Sequence, residues 1–167
     1  MSRVVAHAGL AAPETGWLVR RASRKDVPGV VVAVQELLLE LGGSPPAMPE
    51  LEEVVRELIG DRDAGAVLVA RAGERVVGML AASWQLAMHV PGHYGLIQDL
   101  WVDSAWRSRS IGADLVTALV DLARERKLTR IEVGLPRESF RRIKATEGFY
   151  LDNDFMPIGS RMRLTIS

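Results

Sequence analysis

Residues 96–115, LIQDLWVDSAWRSRSIGADL, restrict the fold more than any other stretch of the chain: a strand-like run ends in small residues and arginines, and a helix begins at once. Ile111, Leu115, Val116, Leu119, Leu122 and Ala123 mark one face of that helix to about Arg126, and RIEVGL at 130–135 reads as the next strand. Strand, helix and strand at this spacing imply a parallel pair joined by a right-handed crossover. Two β-branched runs upstream, 66–71 and 75–84, are separated by Ala72-Gly73-Glu74, a hairpin-length connection, so they pair antiparallel and the sheet is mixed.

The other elements follow from periodicity and punctuation. WLVRRAS is a short first strand, residues 27–41 suit a helix that Gly42-Gly43-Ser44-Pro45-Pro46 interrupts, and Leu51, Val54, Val55 and Leu58 recur at helical spacing over 49–59. After a loop containing Pro91 and Gly92, residues 94–102 read as a strand; a further helix is expected over 138–150, and 155–158 with 161–166 as a closing hairpin across Gly159-Ser160. Residues 1–15 carry no clear period and are expected to form a loosely held leader before a single domain over 16–167. The fold class is α+β, with helices flanking the sheet in an αβα arrangement.

Composition narrows the partners. Basic and acidic side chains number 21 each, which removes the simplest electrostatic case for nucleic acid or an anionic membrane, and neither is expected as a partner. There is no cysteine, so disulfides, thiolate zinc sites and acyl-thioenzyme chemistry are excluded. The apolar runs fall short of the roughly 18 residues that suggest a membrane span, and residues 1–15 lack the apolar segment of a signal peptide, so a soluble, cytoplasmic protein is expected. His89 and His93 are separated by Pro91-Gly92, which argues against one helical face, and no metal site is expected.

The strand-to-helix loop has the composition of an anion cradle. Unpaired amides of a first helical turn and the positive end of the helix dipole favour a phosphate, Ser108, Ser110, Gly112 and Ala113 keep the backbone approachable, and Arg107 and Arg109 supply charge. A plain turn with solvated arginines accounts for the same pattern. Neither GxxxxGK[ST] nor a GxGxxG after the first strand is present.

Arg107-Ser108-Arg109-Ser110-Ile111-Gly112 occupies the Gln/Arg-x-x-Gly-x-Gly/Ala signature, and on these residues the chain resembles the GNAT superfamily of N-acetyltransferases. The strand before the loop is similar to the I-x-D-L-x-V wording of spermidine/spermine-type members, and ATEGFYLDNDF resembles the family's FY-x-x-x-G-F element. The likeness runs through nearly all of residues 17–166. It departs at Ser110, where the family usually has glycine, at Ser108, where many members have another, and before the FY element, where an asparagine is missing. If the backbone needs positive φ at the serines, a Cβ there costs roughly 1 kcal/mol.

The resemblance implies a central mixed, mostly antiparallel sheet with one parallel, splayed strand pair. It implies acetyl-coenzyme A as cosubstrate and no metal. Main-chain groups of Leu100 and Val102, with Trp101 between them, would pair with the pantetheine arm, and the pyrophosphate would lie on the amides of Arg107, Ser108, Arg109, Ser110, Ile111, Gly112 and Ala113. Tyr150 matches the family tyrosine whose hydroxyl protonates the departing thiolate, and a homodimer is the family-based expectation.

Acetyl transfer to an amine needs a neutral nucleophile, yet an alkyl ammonium ionises near about 10, so a base must take its proton. Asp99 is the candidate, directly or through water. Strict alternation sets Asp99 and Leu100 on opposite faces and makes Gln98 the competing residue. The acceptor expected is the primary amine of a small molecule. A non-catalytic acyl-coenzyme A sensor or interaction module using the same cleft is the alternative, with Ser110 and the missing asparagine in its favour.

Overall fold

The computed structural model describes residues 16–166, and the leader expected over residues 1–15 lies outside them. The chain divides into two compact units, one ending at Val133 and the other beginning at Gly134. The first contains β1 (Leu18–Arg21), α1 (Val27–Glu40), α2 (Met48–Gly60), β2 (Gly65–Ala72), β3 (Arg75–Ala87), β4 (Gly92–Val102), α3 (Ile111–Glu125) and β5 (Ile131–Val133). The sheet runs in the order β1-β2-β3-β4-β5 and is antiparallel except for the β4–β5 pair. This is the mixed sheet that the crossover spacing requires.

Helices cover both faces. On one, Val67 and Val69 of β2, Met79 and Ala81 of β3 and Trp101 of β4 pack with Val27, Val30, Val31 and Val34 of α1 and Val55 of α2. On the other lies α3, whose Ile111, Leu115 and Leu119 are buried. Gly78 of β3 lets it approach: a Cβ there would stand 2.7 Å from Ile111 Cγ2 and 3.3 Å from a Leu115 methyl. The first residue of α3 therefore rests directly on the sheet, beside Val102, the register partner of Gly78.

Asp26 ties the front of α1 to the sheet. Its carboxylate, almost wholly buried, accepts from Arg20 of β1 at 2.7 Å, Arg71 of β2 at 2.7 Å and the Ser23 amide at 2.7 Å. Burial pushes the carboxyl up, but the bonds from Arg20, Ser23 and Arg71 outweigh it and hold the pKa at about 2.

The β3–β4 hairpin is longer than periodicity suggests. Pairing continues to Ala87↔Gly92, so the expected loop at Pro91-Gly92 contracts to a tight connection. Midway, the register steps from Ala81↔Asp99 to Ala82↔Ile97, which leaves Gln98 as an extra residue in β4. This β-bulge reorients the strand where the functional residues sit.

In the second unit, α4 (Ile143–Asp152) begins later than the expected residue 138. Phe140 and Ile143 close three-residue turns onto Arg137 and Phe140 before the helix starts. The closing hairpin expected over 155–166 is absent, and the segment has no regular secondary structure. Its alternating Met162, Leu164 and Ile166 are exposed. Alternation marks a segment able to form a strand, but a strand also needs a hydrogen-bonded neighbour and a face to bury.

Candidate functional site

The parallel pair opens within a few residues. β4 and β5 are in register only at Gly95↔Ile131, Leu96↔Glu132 and Ile97↔Val133, so residues 98–102 of β4 continue without a β5 partner. The Asp103 amide donates to the Val77 carbonyl on β3. Since main-chain direction alternates along a strand, Leu100 and Val102 turn their N–H and C=O groups to the open edge. The Val102 carbonyl accepts from Arg107 Nε at 3.1 Å, and the same guanidinium pairs with Glu40, in the last turn of α1, at 2.7 Å. Arg107 thus links α1, the end of β4 and the loop.

The loop is tied down at its start and contorted at its end. Asp103, nearly buried, pairs with Arg75 and accepts from the Ala105 amide at 2.9 Å, which fixes the 3-10 turn Ser104–Trp106. The Arg109 guanidinium stacks 4.9 Å from the Trp106 ring centre. Ser108 and Ser110 both adopt left-handed conformations, at φ 63° and 68°. A side chain there costs about 1–2 kcal/mol, which makes this loop a reservoir of backbone strain.

Ser110 is the N-cap of α3, yet its hydroxyl caps nothing. The Asp114 amide makes the first bond, to the Ser110 carbonyl. The N–H groups of Ile111, Gly112 and Ala113 consequently have no partner within the helix, and the helix dipole adds positive potential at that end. Chemically, this arrangement suits an anion laid across the helix start beside an unpaired strand edge.

The bulge changes the reading of Gln98 and Asp99. Alternation sets Gln98 on the Leu100 side, but the Gln98 amide donates to Ser83 Oγ at 2.8 Å, and Ser83 shares its face of β3 with Ala81, the partner of Asp99. Gln98 and Asp99 therefore lie together, on the face covered by α1 and α2. Burial pushes the Asp99 carboxyl above the ordinary carboxylate range. Among the described residues, no hydrogen bond or ion pair engages that carboxylate.

Trp101 stands on this face too, but its indole is core, 6% exposed. Tyr150 belongs to the second unit: it is buried on α4, edge-on to Phe149 and Phe155 with ring centres 5.1 and 5.2 Å away. The first unit brings together Asp99, Leu100, Val102 and residues 107–113. Ser83 and Gln85 escaped the sequence reading, although their signal was present: they are polar at alternate positions in the otherwise apolar run VVGMLAASWQLA. Among the described residues there is no cluster of three or more His, Cys, Asp or Glu able to hold a metal ion.

Residues 32–145 match the model of the Acetyltransferase (GNAT) family. No curated protein sequence matches the chain. Among solved structures, the chain is similar to a possible acetyltransferase from Clostridium difficile 630, at 18% identity and TM-score 0.76 over 90% of this chain and 97% of that one. It is similar to a predicted acetyltransferase from Clostridium acetobutylicum with acetyl-CoA, at 17% identity and TM-score 0.69 over 89% and 96%. It is also similar to an aminoglycoside acetyltransferase from an uncultured soil metagenomic sample, in complex with sisomicin, at 20% identity and TM-score 0.68 over 90% and 97%. At these identities the likeness establishes the fold.

Proposed function

Since the chain belongs to the GNAT acetyltransferase family, we propose that it transfers the acetyl group of acetyl-coenzyme A directly to the primary amine of a small molecule, within a ternary complex. The observation that carries this reading is the pairing of two features in one unit. An unpartnered β4 edge at Leu100 and Val102 runs into a helix start whose first amides are uncapped, across two left-handed serines. Extended pantetheine suits the first, and a pyrophosphate suits the second.

These residues fit the cosubstrate with one adjustment. The Val102 carbonyl exchanges its Arg107 partner for an amide of the pantetheine arm, and Arg107, still held by Glu40, remains beside the phosphates. The amides from Arg107 to Ala113 hold the pyrophosphate, and Arg109, stacked on Trp106, adds positive charge.

The chemical step forms a C–N bond and breaks a C–S bond. Asp99, directly or through water, removes a proton from the incoming ammonium so that a nitrogen lone pair attacks the thioester carbon. Its raised pKa makes it a stronger base than an exposed carboxylate. The coenzyme leaves as a thiolate and takes its proton from the Tyr150 hydroxyl, and the second proton that the nitrogen sheds as the amide forms restores that hydroxyl; thiols ionise near about 8.5 and phenols near about 10, so the transfer needs no large shift.

Thiol release from acetyl-coenzyme A across a panel of amines tests the proposal. Amine-dependent release is expected. Tight coenzyme binding with silence across diverse amines would identify the sensor instead.

A further inference from the structure

Ser83, Gln85 and Tyr94 have no part in the steps above, yet they share a face with the proposed base. Gln85 Nε2 and Gln98 Nε2 both donate to Ser83 Oγ, each at 2.8 Å. Ser83 and Gln85 are two residues apart on β3 and so project to one face, while Gln98 reaches the same hydroxyl from the bulge in β4. Tyr94 is the register partner of Gln85, as Asp99 is of Ala81. Ser83, Gln85, Tyr94 and Asp99 are half-buried and Gln98 is exposed, so the cluster is reachable.

We infer that this cluster recognises the acceptor and selects a hydroxylated primary amine, of the amino-sugar class, over a linear polyamine; the inference rests on the proposed transfer to an amine. With two amides donating to it, the Ser83 oxygen has both lone pairs engaged and its hydroxyl proton left to donate. Each glutamine keeps a second N–H and its carbonyl oxygen. The surface is thus uncharged and offers donors and acceptors side by side. A sugar hydroxyl, which both donates and accepts, satisfies such a surface; an ammonium group only donates.

Charge points the same way. Within β3 and β4, Asp99 is the one carboxylate on this face, matched to a single ammonium, the one to be acetylated. A linear polyamine carries further ammonium groups joined by methylenes. These find no second carboxylate on the strands, and the methylenes leave the half-buried N–H and O–H donors without partners, which is the larger penalty.

The test is a calorimetric titration of the protein, at saturating coenzyme A, with glucosamine, spermidine and n-hexylamine, for wild type, Ser83→Ala and Gln98→Leu; glucosamine carries a single amino group among its hydroxyls. Wild type is expected to bind glucosamine about tenfold or more tighter than n-hexylamine and tighter than spermidine, the advantage of one or two hydrogen bonds. Each substitution is expected to weaken glucosamine about tenfold and to move n-hexylamine less than twofold. Tighter binding of spermidine than of glucosamine, an equal loss for glucosamine and n-hexylamine, no change in either, or uptake of none of the three amines by wild type overturns the inference. A preceding titration with acetyl-coenzyme A alone tests the parent reading separately, and unchanged affinity in the two variants certifies their fold.

Discussion

Replacing Gly78 by alanine perturbs the helix start without touching any group expected to meet the coenzyme. The added Cβ would stand 2.7 Å from Ile111 Cγ2, 3.3 Å from Ala70 Cβ and 3.3 Å from Leu115 Cδ1. Carbon atoms settle at about 3.5–4.0 Å, so Ile111 must retreat by about 1 Å. Its Cγ2 is borne on Cβ and cannot swing far, so the first turn of α3 moves with it. Overpacking of this kind costs about 1–3 kcal/mol of stability. The same shift lengthens the bonds from the Ile111, Gly112 and Ala113 amides to a phosphate beyond hydrogen-bond range. Losing one charge-assisted bond, worth about 1.5–3 kcal/mol, raises the Kd for acetyl-coenzyme A roughly tenfold to a hundredfold. Denaturant unfolding and calorimetry read the two effects. Adding Ile111→Leu, which moves the branch off Cβ at constant volume, is expected to recover part of both. A Gly78→Ala protein that loses stability but keeps its affinity would refute the link between the seat of α3 and the anion cradle.

Four further outcomes follow from the same structure. Ser108→Gly with Ser110→Gly relieves two left-handed side chains at about 1–2 kcal/mol each, less about 0.5–1 kcal/mol each for the freer unfolded chain, so thermal melting should show a gain of about 1–2 kcal/mol. Tyr150→Phe is expected to lower turnover while leaving acetyl-coenzyme A affinity intact; an unchanged rate removes Tyr150 from the mechanism. Asp99→Asn should lower the transfer rate and stabilise the fold. Because the folded pKa is raised, the stability of wild type is complete at low pH and falls as pH rises through that pKa, so the variant's advantage in Tm should grow as pH rises above the ordinary carboxylate range. Asp26, lowered from 3.8 to about 2, contributes about 2 kcal/mol that is present above pH 4 and lost as pH falls towards 2. Asp26→Asn should abolish that part of the acid transition in a pH-dependent unfolding series.

The periodic parts of the chain were readable because they depend on neighbours in sequence. The face of α3, the β2–β3 hairpin and the parallel crossover all follow from spacing. Features that depend on distant partners were not readable. The bulge at Gln98 is two residues opposed to one, so it exists only once β3 is aligned with β4. Arg107 was legible as a cation, but its partner Glu40 lies 67 residues away. The letter Ser does not declare a left-handed backbone; at 108 and 110 only the family's glycines hinted at it. The tail over 155–166 misled in the opposite sense, since its alternation suits a strand while the segment has no regular secondary structure.

Amide chemical shifts during a titration with acetyl-coenzyme A address the coenzyme grip residue by residue. The largest changes are expected at Leu100, Val102 and the amides of Ser110 to Ala113, saturating together with one Kd. Binding that leaves these signals in place, or no binding at all, would contradict it.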